Sequence, residues 1–131
     1  MKNRKENKMT NRDRYEADLL TLPREHVKTD TVDGFDTVIY RTDMGHLCGY
    51  VRVPEDTEID WVNEIQCHGG ITFQDWRDFF ITNGYYIGFD CAHSGDWSPY
   101  SPEIFKETYK DVDFVQNELK NIIEQVKEKL K

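Results

Sequence analysis

The sequence predicts an α+β domain, an antiparallel sheet of four or five strands with a long C-terminal helix packed on one face. Val112, Val115, Leu119, Ile122, Val126 and Leu130 recur at spacings of three and four, which lines one side of a helix with apolar groups. Such a stripe must be buried, and its natural partner is one face of an antiparallel sheet. Thr37–Thr42 and Tyr85–Cys91 supply the strands: both are short runs rich in β-branched and aromatic residues, and each follows a turn signal.

The bulk numbers suit one domain. A chain of 131 residues with 37% hydrophobic residues supports a single, modest core. No apolar run approaches the roughly 20 residues that span a bilayer, and the N-terminus lacks the apolar centre of a signal peptide. The expectation is a soluble protein of the cytoplasm. Cys48, Cys67 and Cys91 are expected as reduced thiols, and no C-x-x-C pair suggests a zinc ribbon or finger. The formal charge of −8 is unevenly placed. Six basic and two acidic residues fall within the first 14, so the remainder carries −12. A body that acidic repels a phosphate backbone, which argues against nucleic acid as a partner.

In chain order, residues 1–22 read as a basic arm, polar and disordered to about residue 11. A weak helical pattern follows, with Tyr15, Leu19 and Leu22 on one side and Pro23 ending it. Residues 23–131 form the domain. Val32-Asp33-Gly34 is a turn, Thr37–Thr42 a strand, Asp43-Met44-Gly45 a second turn and His46–Val53 the returning strand of a hairpin. After the acidic connection from Pro54 to Asp60, a third strand is expected from Trp61 to Gln66. It runs on through His68 into Ile71-Thr72-Phe73, with a bulge at Gly69-Gly70. Gln74–Asn83 reads as a helical turn or ordered loop, Asn83-Gly84 as a turn and Tyr85–Cys91 as the clearest strand. Ala92–Lys110, with Pro99 and Pro102, is a loop. Asp111 caps the final helix, and Lys127, Lys129 and Lys131 sit at its C-terminus, where the helix dipole favours cations.

Side chains alternate across a strand, so the apolar set assigns the polar set. Leu47, Val51 and Val53, Ile71 and Phe73, and Ile87, Phe89 and Cys91 point toward the helix. The opposite face then carries His46, Tyr50, Arg52, His68, Thr72 and Asp90. Gly70 and Gly88 form a floor free of side chains, walled by loops around Trp76 and Trp97. This is the expected ligand groove.

Its chemistry has several readings. His68 beside Gly69-Gly70 can exchange a proton while glycine amides hold an anion or carbonyl oxygen, or it can simply bond at a bulge. Asp90, Cys91, His93 and Asp96 lie within seven positions. His68 and His93, joined by Asp90 or Cys91, offer N, S and O donors for zinc or another divalent metal, at a spacing that fits no standard pattern. Cys91 activated by a histidine is a second option, against which its alternation with Ile87 and Phe89 marks it as core. Asp90 and Asp96 can equally cap turns, and the aromatics Trp76, Tyr85, Tyr86, Trp97 and Tyr100 can stack on a ring or pack.

The blocks Gly45-His46-Leu47-Cys48-Gly49-Tyr50-Val51, His68-Gly69-Gly70-Ile71-Thr72-Phe73 and Ile87-Gly88-Phe89-Asp90-Cys91-Ala92-His93-Ser94-Gly95-Asp96, followed by the Tyr109-Lys110-Asp111-Val112 start of the C-terminal helix, resemble short uncharacterised phage and prophage proteins of bacteria. The resemblance covers about residues 35–130 and implies a protein acting in the cytoplasm of an infected bacterium. It implies no particular activity. Residues and resemblance together lead to a phage accessory protein, of a counter-defence kind, that binds a small polar, nucleotide-type ligand. Gly69, Gly70, Thr72, His46 and Trp97 would contact the ligand, with His68, Asp90 and His93 at its reactive part. Two alternatives stand beside it. One is a small hydrolase using His68 or His93 with Asp90, with or without a metal. The other is an acidic inhibitor that blocks a host protein.

Overall fold

The computed structural model describes residues 9–102 and 105–131. The disorder expected at the extreme N-terminus falls mostly on residues outside that range. Helix α1 (Asn11–Thr21) leads into five strands, β1 (Val27–Val32), β2 (Phe35–Arg41), β3 (Leu47–Arg52), β4 (Phe73–Asp78) and β5 (Asn83–Asp90). A short helix, α2 (Ile59–Val62), lies between β3 and β4, and α3 (Val112–Lys129) closes the chain. The strands form one antiparallel sheet in the order β1-β2-β3-β5-β4. With α3 packed on it, the fold is α+β, as expected.

Helix α3 forms because Asp111 caps it, accepting a 2.8 Å bond from the Phe114 N–H. Its apolar stripe then seats Val115, Leu119, Ile122, Ile123 and Val126 on Ile39, Leu47, Val51, Ile87 and Phe89. Gly49 allows the close approach, since a Cβ there would lie 2.8 Å from the Phe89 ring and 2.9 Å from a Val115 methyl. Leu130, the expected last member of the stripe, is instead 46% exposed beyond the end of the helix.

Four segments differ from expectation, among them Asn83-Gly84, read as a turn but paired in β5 with Asp78 and Arg77. Residues 61–66 contain no strand. Ile59–Val62 is a helical turn that puts Val62 and Ile65, three apart, into the core together. Residues Gln74–Asp78 belong to β4 rather than to a helical turn, paired along their length with β5. Strand β1 (VKTDTV) is an addition to the expected set and pairs with β2 across the Asp33-Gly34 turn.

The face away from α3 is filled. Val38, Cys48, Tyr50, Phe79 and Tyr86 form a second apolar cluster. The Arg77 guanidinium lies over the rings of Phe79, Tyr40 and Tyr50, at 4.8 to 5.3 Å. The glycine floor expected there is roofed by a side chain, because a Cβ on Gly88 would collide with Tyr50. The reason is the composition of the face itself: two tyrosines on neighbouring strands occupy the space a ligand would need.

Helix α1 is bound into the domain. Thr10 and Asp13 form a reciprocal cap at its start. Arg41, fully buried, donates to the carbonyls of Leu22 (2.6 Å) and Gly45 (2.9 Å), to the Tyr109 hydroxyl (2.8 Å) and to Asp18 (3.1 Å). Tyr15, Trp97 and Tyr109 pack as a third apolar cluster beneath the helix.

Candidate functional site

The polar residues of the two expected motifs do converge, but at the end of the sheet rather than on its open face. Residues 67–72 form an irregular turn in which the Gly70 N–H donates to the Cys67 carbonyl, and Gly69 and Gly70 take positive φ angles of 69° and 78°. This turn carries His68 toward the loop that follows β5. Its backbone N–H is held by Glu118 of α3 (2.8 Å), and its ring stands edge-on to Phe114, with centroids 5.2 Å apart.

The partner of His68 is Asp96, not Asp90. Nε2 lies 2.9 Å from both Asp96 oxygens. A carboxylate only accepts, so the ring proton sits on Nε2. Asp96 also accepts from the His93 backbone N–H (3.0 Å) and pairs with Lys110 (3.2 Å), and its side chain is 1% exposed. Burial by itself would raise this carboxyl. The bonds from His68, His93 and Lys110 outweigh it and hold the group below the ordinary carboxylate range.

Asp90 belongs to a second unit. It accepts from the Thr72 hydroxyl (2.9 Å) and from the Ala92 N–H (3.0 Å), and lies 3.2 Å from His93 Nε2. That separation is an ion-pair distance with poor hydrogen-bond geometry: His93 Nε2 is buried and makes no directed bond among the described residues. The ring rests on Gly69, where any Cβ would overlap it. The His68 and His93 rings are 6.0 Å apart, nearly perpendicular. Two partly exposed imidazoles thus stand side by side, each beside its own carboxylate.

The remaining expected residues divide. His46 bonds Thr42 (Nδ1 to Oγ1, 3.3 Å) and is held below the ordinary imidazole range by burial, against the pull of Asp90 and Asp96. It borders the cluster without bonding to it. Gly70 has open space where a Cβ would be, so its backbone is approachable. Trp97 is turned away into the cluster with Tyr15 and Tyr109, where it packs rather than walls a groove. Cavities occur elsewhere among the described residues, under the β1 edge, at the Trp76 end of the sheet and beside Phe79.

No family model, curated protein or solved structure matches this chain.

Among the described residues, no three His, Cys, Asp or Glu side chains are arranged to hold a metal ion. The His68 nitrogen that faces a carboxylate is already committed to it. Cysteine nucleophiles are equally disfavoured. Burial pushes the thiols of Cys48 and Cys67 up to about 11 and that of Cys91 higher still, so each stays protonated near neutrality. Lys110 and Phe114 carry no motif that would draw attention to them. Asp96 is visible in the sequence as a polar member of the second motif, but its capacity to cap a turn hides its reach to His68. No helix of the described residues is long and apolar enough to cross a membrane.

Proposed function

We propose that the protein is a phage or prophage accessory protein that binds a small polar ligand bearing an anionic, nucleotide-type group at the His68–His93 end of the sheet. The observation that supports this reading is the pairing of two partly exposed imidazoles, 6.0 Å apart, His68 oriented by Asp96 and His93 lying 3.2 Å from Asp90. A carboxylate-anchored imidazole keeps one ring nitrogen in a defined direction for a ligand. Lys110 offsets the charge of Asp96, and the Gly70 backbone leaves room for close approach. The resemblance of the three sequence blocks to phage and prophage proteins supports the biological setting.

Titration with a nucleotide panel and with inorganic phosphate, followed by the imidazole proton resonances, tests this. Binding is expected to shift the His68 and His93 signals together, and His93→Ala should weaken it at least about tenfold, the loss of one charge-assisted hydrogen bond. A full panel without shifts would overturn it.

A second reading, acid–base hydrolysis of the same ligand, is favoured by the His68–Asp96 pair. A buried carboxylate that fixes an imidazole tautomer is the arrangement of a catalytic base. Recovery of the ligand from the complex separates the two: an intact ligand means binding alone, an altered one turnover. A protein-blocking role would show differently. His93→Ala would then change nothing, and reversing surface acidic charge would abolish binding to a host protein.

A further inference from the structure

A cavity of about 480 Å³ lies at the other end of the sheet from His68, where β3 ends and β5 begins. Two of its walls are aromatic. Trp76 of β4 and Tyr85 of β5 are cross-strand partners with centroids 6.1 Å apart and planes at 74°, and Phe35 at the start of β2 adds a third ring to the lining. Trp76 is 55% exposed, although it is the kind of side chain that folding normally covers. The exposed face of an aromatic ring carries negative quadrupole density.

The charges around this space point the same way. Asp36 and Glu55 line it, and Arg52, the cation among the described lining residues, is paired with Asp36 at 3.6 Å. Leu130, just past the end of α3, forms part of the wall, so the negative end of the helix dipole lies near the cavity. The three lysines of the helix end do not neutralise it, because Lys127, Lys129 and Lys131 each contact a carboxylate of their own: Glu124 and Asp33, Glu64, and Glu128. With Arg52 and Asp36 offsetting each other, an anion would meet the Glu55 carboxylate here. A cation meets ring faces and negative charge together.

We propose that this cavity binds an organic cation, an alkylammonium or guanidinium group, through Trp76, Tyr85 and Phe35, with Glu55 supplying the charge. The site is independent of the His68–His93 cluster. Cation–π attraction plus a carboxylate favours a weakly hydrated cation over a neutral group of the same shape. The same head occurs on free amines and on the basic side chains of proteins, and the chemistry of recognition is common to both.

The test uses the full chain, the Trp76 indole N–H resonance and calorimetry, with two cationic probes, choline and acetyl-arginine methylamide. Their comparator is 3,3-dimethylbutan-1-ol, which has the shape of choline without its charge. The expected result is saturable binding of at least one cation, about tenfold tighter than the alcohol. The tighter of the two cations then identifies a free amine or a protein side chain as the source. Trp76→Ala should abolish binding, and Glu55→Gln, which leaves the rings in place, should weaken it severalfold, so a folding defect in the first variant does not remove the test. Equal affinity for the alcohol, no saturation by either cation, or full binding by both variants would overturn the proposal.

Discussion

His68 Nε2 stands 2.9 Å from both carboxylate oxygens of Asp96, a residue 28 positions further along the chain. The contact fastens the turn before β4 to the loop after β5. Asp96 sits below the ordinary carboxylate range in the folded state, so its charge stabilises the fold fully above its unfolded value, about pH 4. That contribution drains away as pH falls through the folded value. Asp96→Asn should therefore cost about 1 to 3 kcal/mol at neutral pH, and the gap from the parent should narrow below about pH 4. Urea midpoints measured across pH 2 to 7 check this; parallel curves would contradict it.

Arg41 has no exposed surface and holds four partners, among them Asp18 of α1 and the Tyr109 hydroxyl. Arg41→Ala leaves Asp18 near the Tyr109 hydroxyl and the Val112 N–H but without its counter-charge. The expected loss is about 3 to 5 kcal/mol, accompanied by faster hydrogen exchange through residues 11–21. Arg41→Lys should recover little, because one ammonium cannot reproduce a planar fork that reaches four acceptors.

Gly49 lies directly beneath α3, with Phe89 and Val115 inside the space of a Cβ. Gly49→Ala should overpack this contact and lower stability by about 1 to 3 kcal/mol, read as a fall in melting temperature. A neutral effect would mean that the helix can ride outward at no cost.

Phe80, at the tip of the β4–β5 hairpin, is 99% exposed and takes φ of 73°, where a bulky residue is strained. Phe80→Gly gives up no burial and relieves the strain, at some cost in unfolded-chain entropy. A net gain of about 0.5 to 1 kcal/mol is expected. A loss in chemical denaturation would show that the ring makes a stabilising contact.

What can be read in advance follows from burial. The inner strands β2, β3 and β5 and the helix α3 carry their apolar residues at the period of their own geometry, because each is covered by neighbours. The edge strands β1 and β4 do not. Lys28 and Asp30 lie on the helix side of β1, where a cavity lined also by Gln116 and Lys120 of α3 separates them from the helix, and β4 interleaves Asp75, Arg77 and Asp78 with Phe73 and Trp76. Polar edges deter pairing with other chains, and the same polarity hides them from a pattern search. In the candidate site, His68, Thr72, Asp90 and His93 are recognisable as neighbours within short motifs.

The sequence by itself determined the α+β class, the helix, the inner hairpin and the two clusters of polar residues, since these depend on periodicity and local turn chemistry. Only the tertiary structure decided that His68 pairs with Asp96 while Asp90 goes to Thr72 and His93, that Trp97 packs under α1, and that Tyr50 roofs Gly88. Those outcomes turn on the path of two irregular loops and on which side chains fill a sheet face. Both are set by contacts between segments distant in the chain, and no local pattern records them.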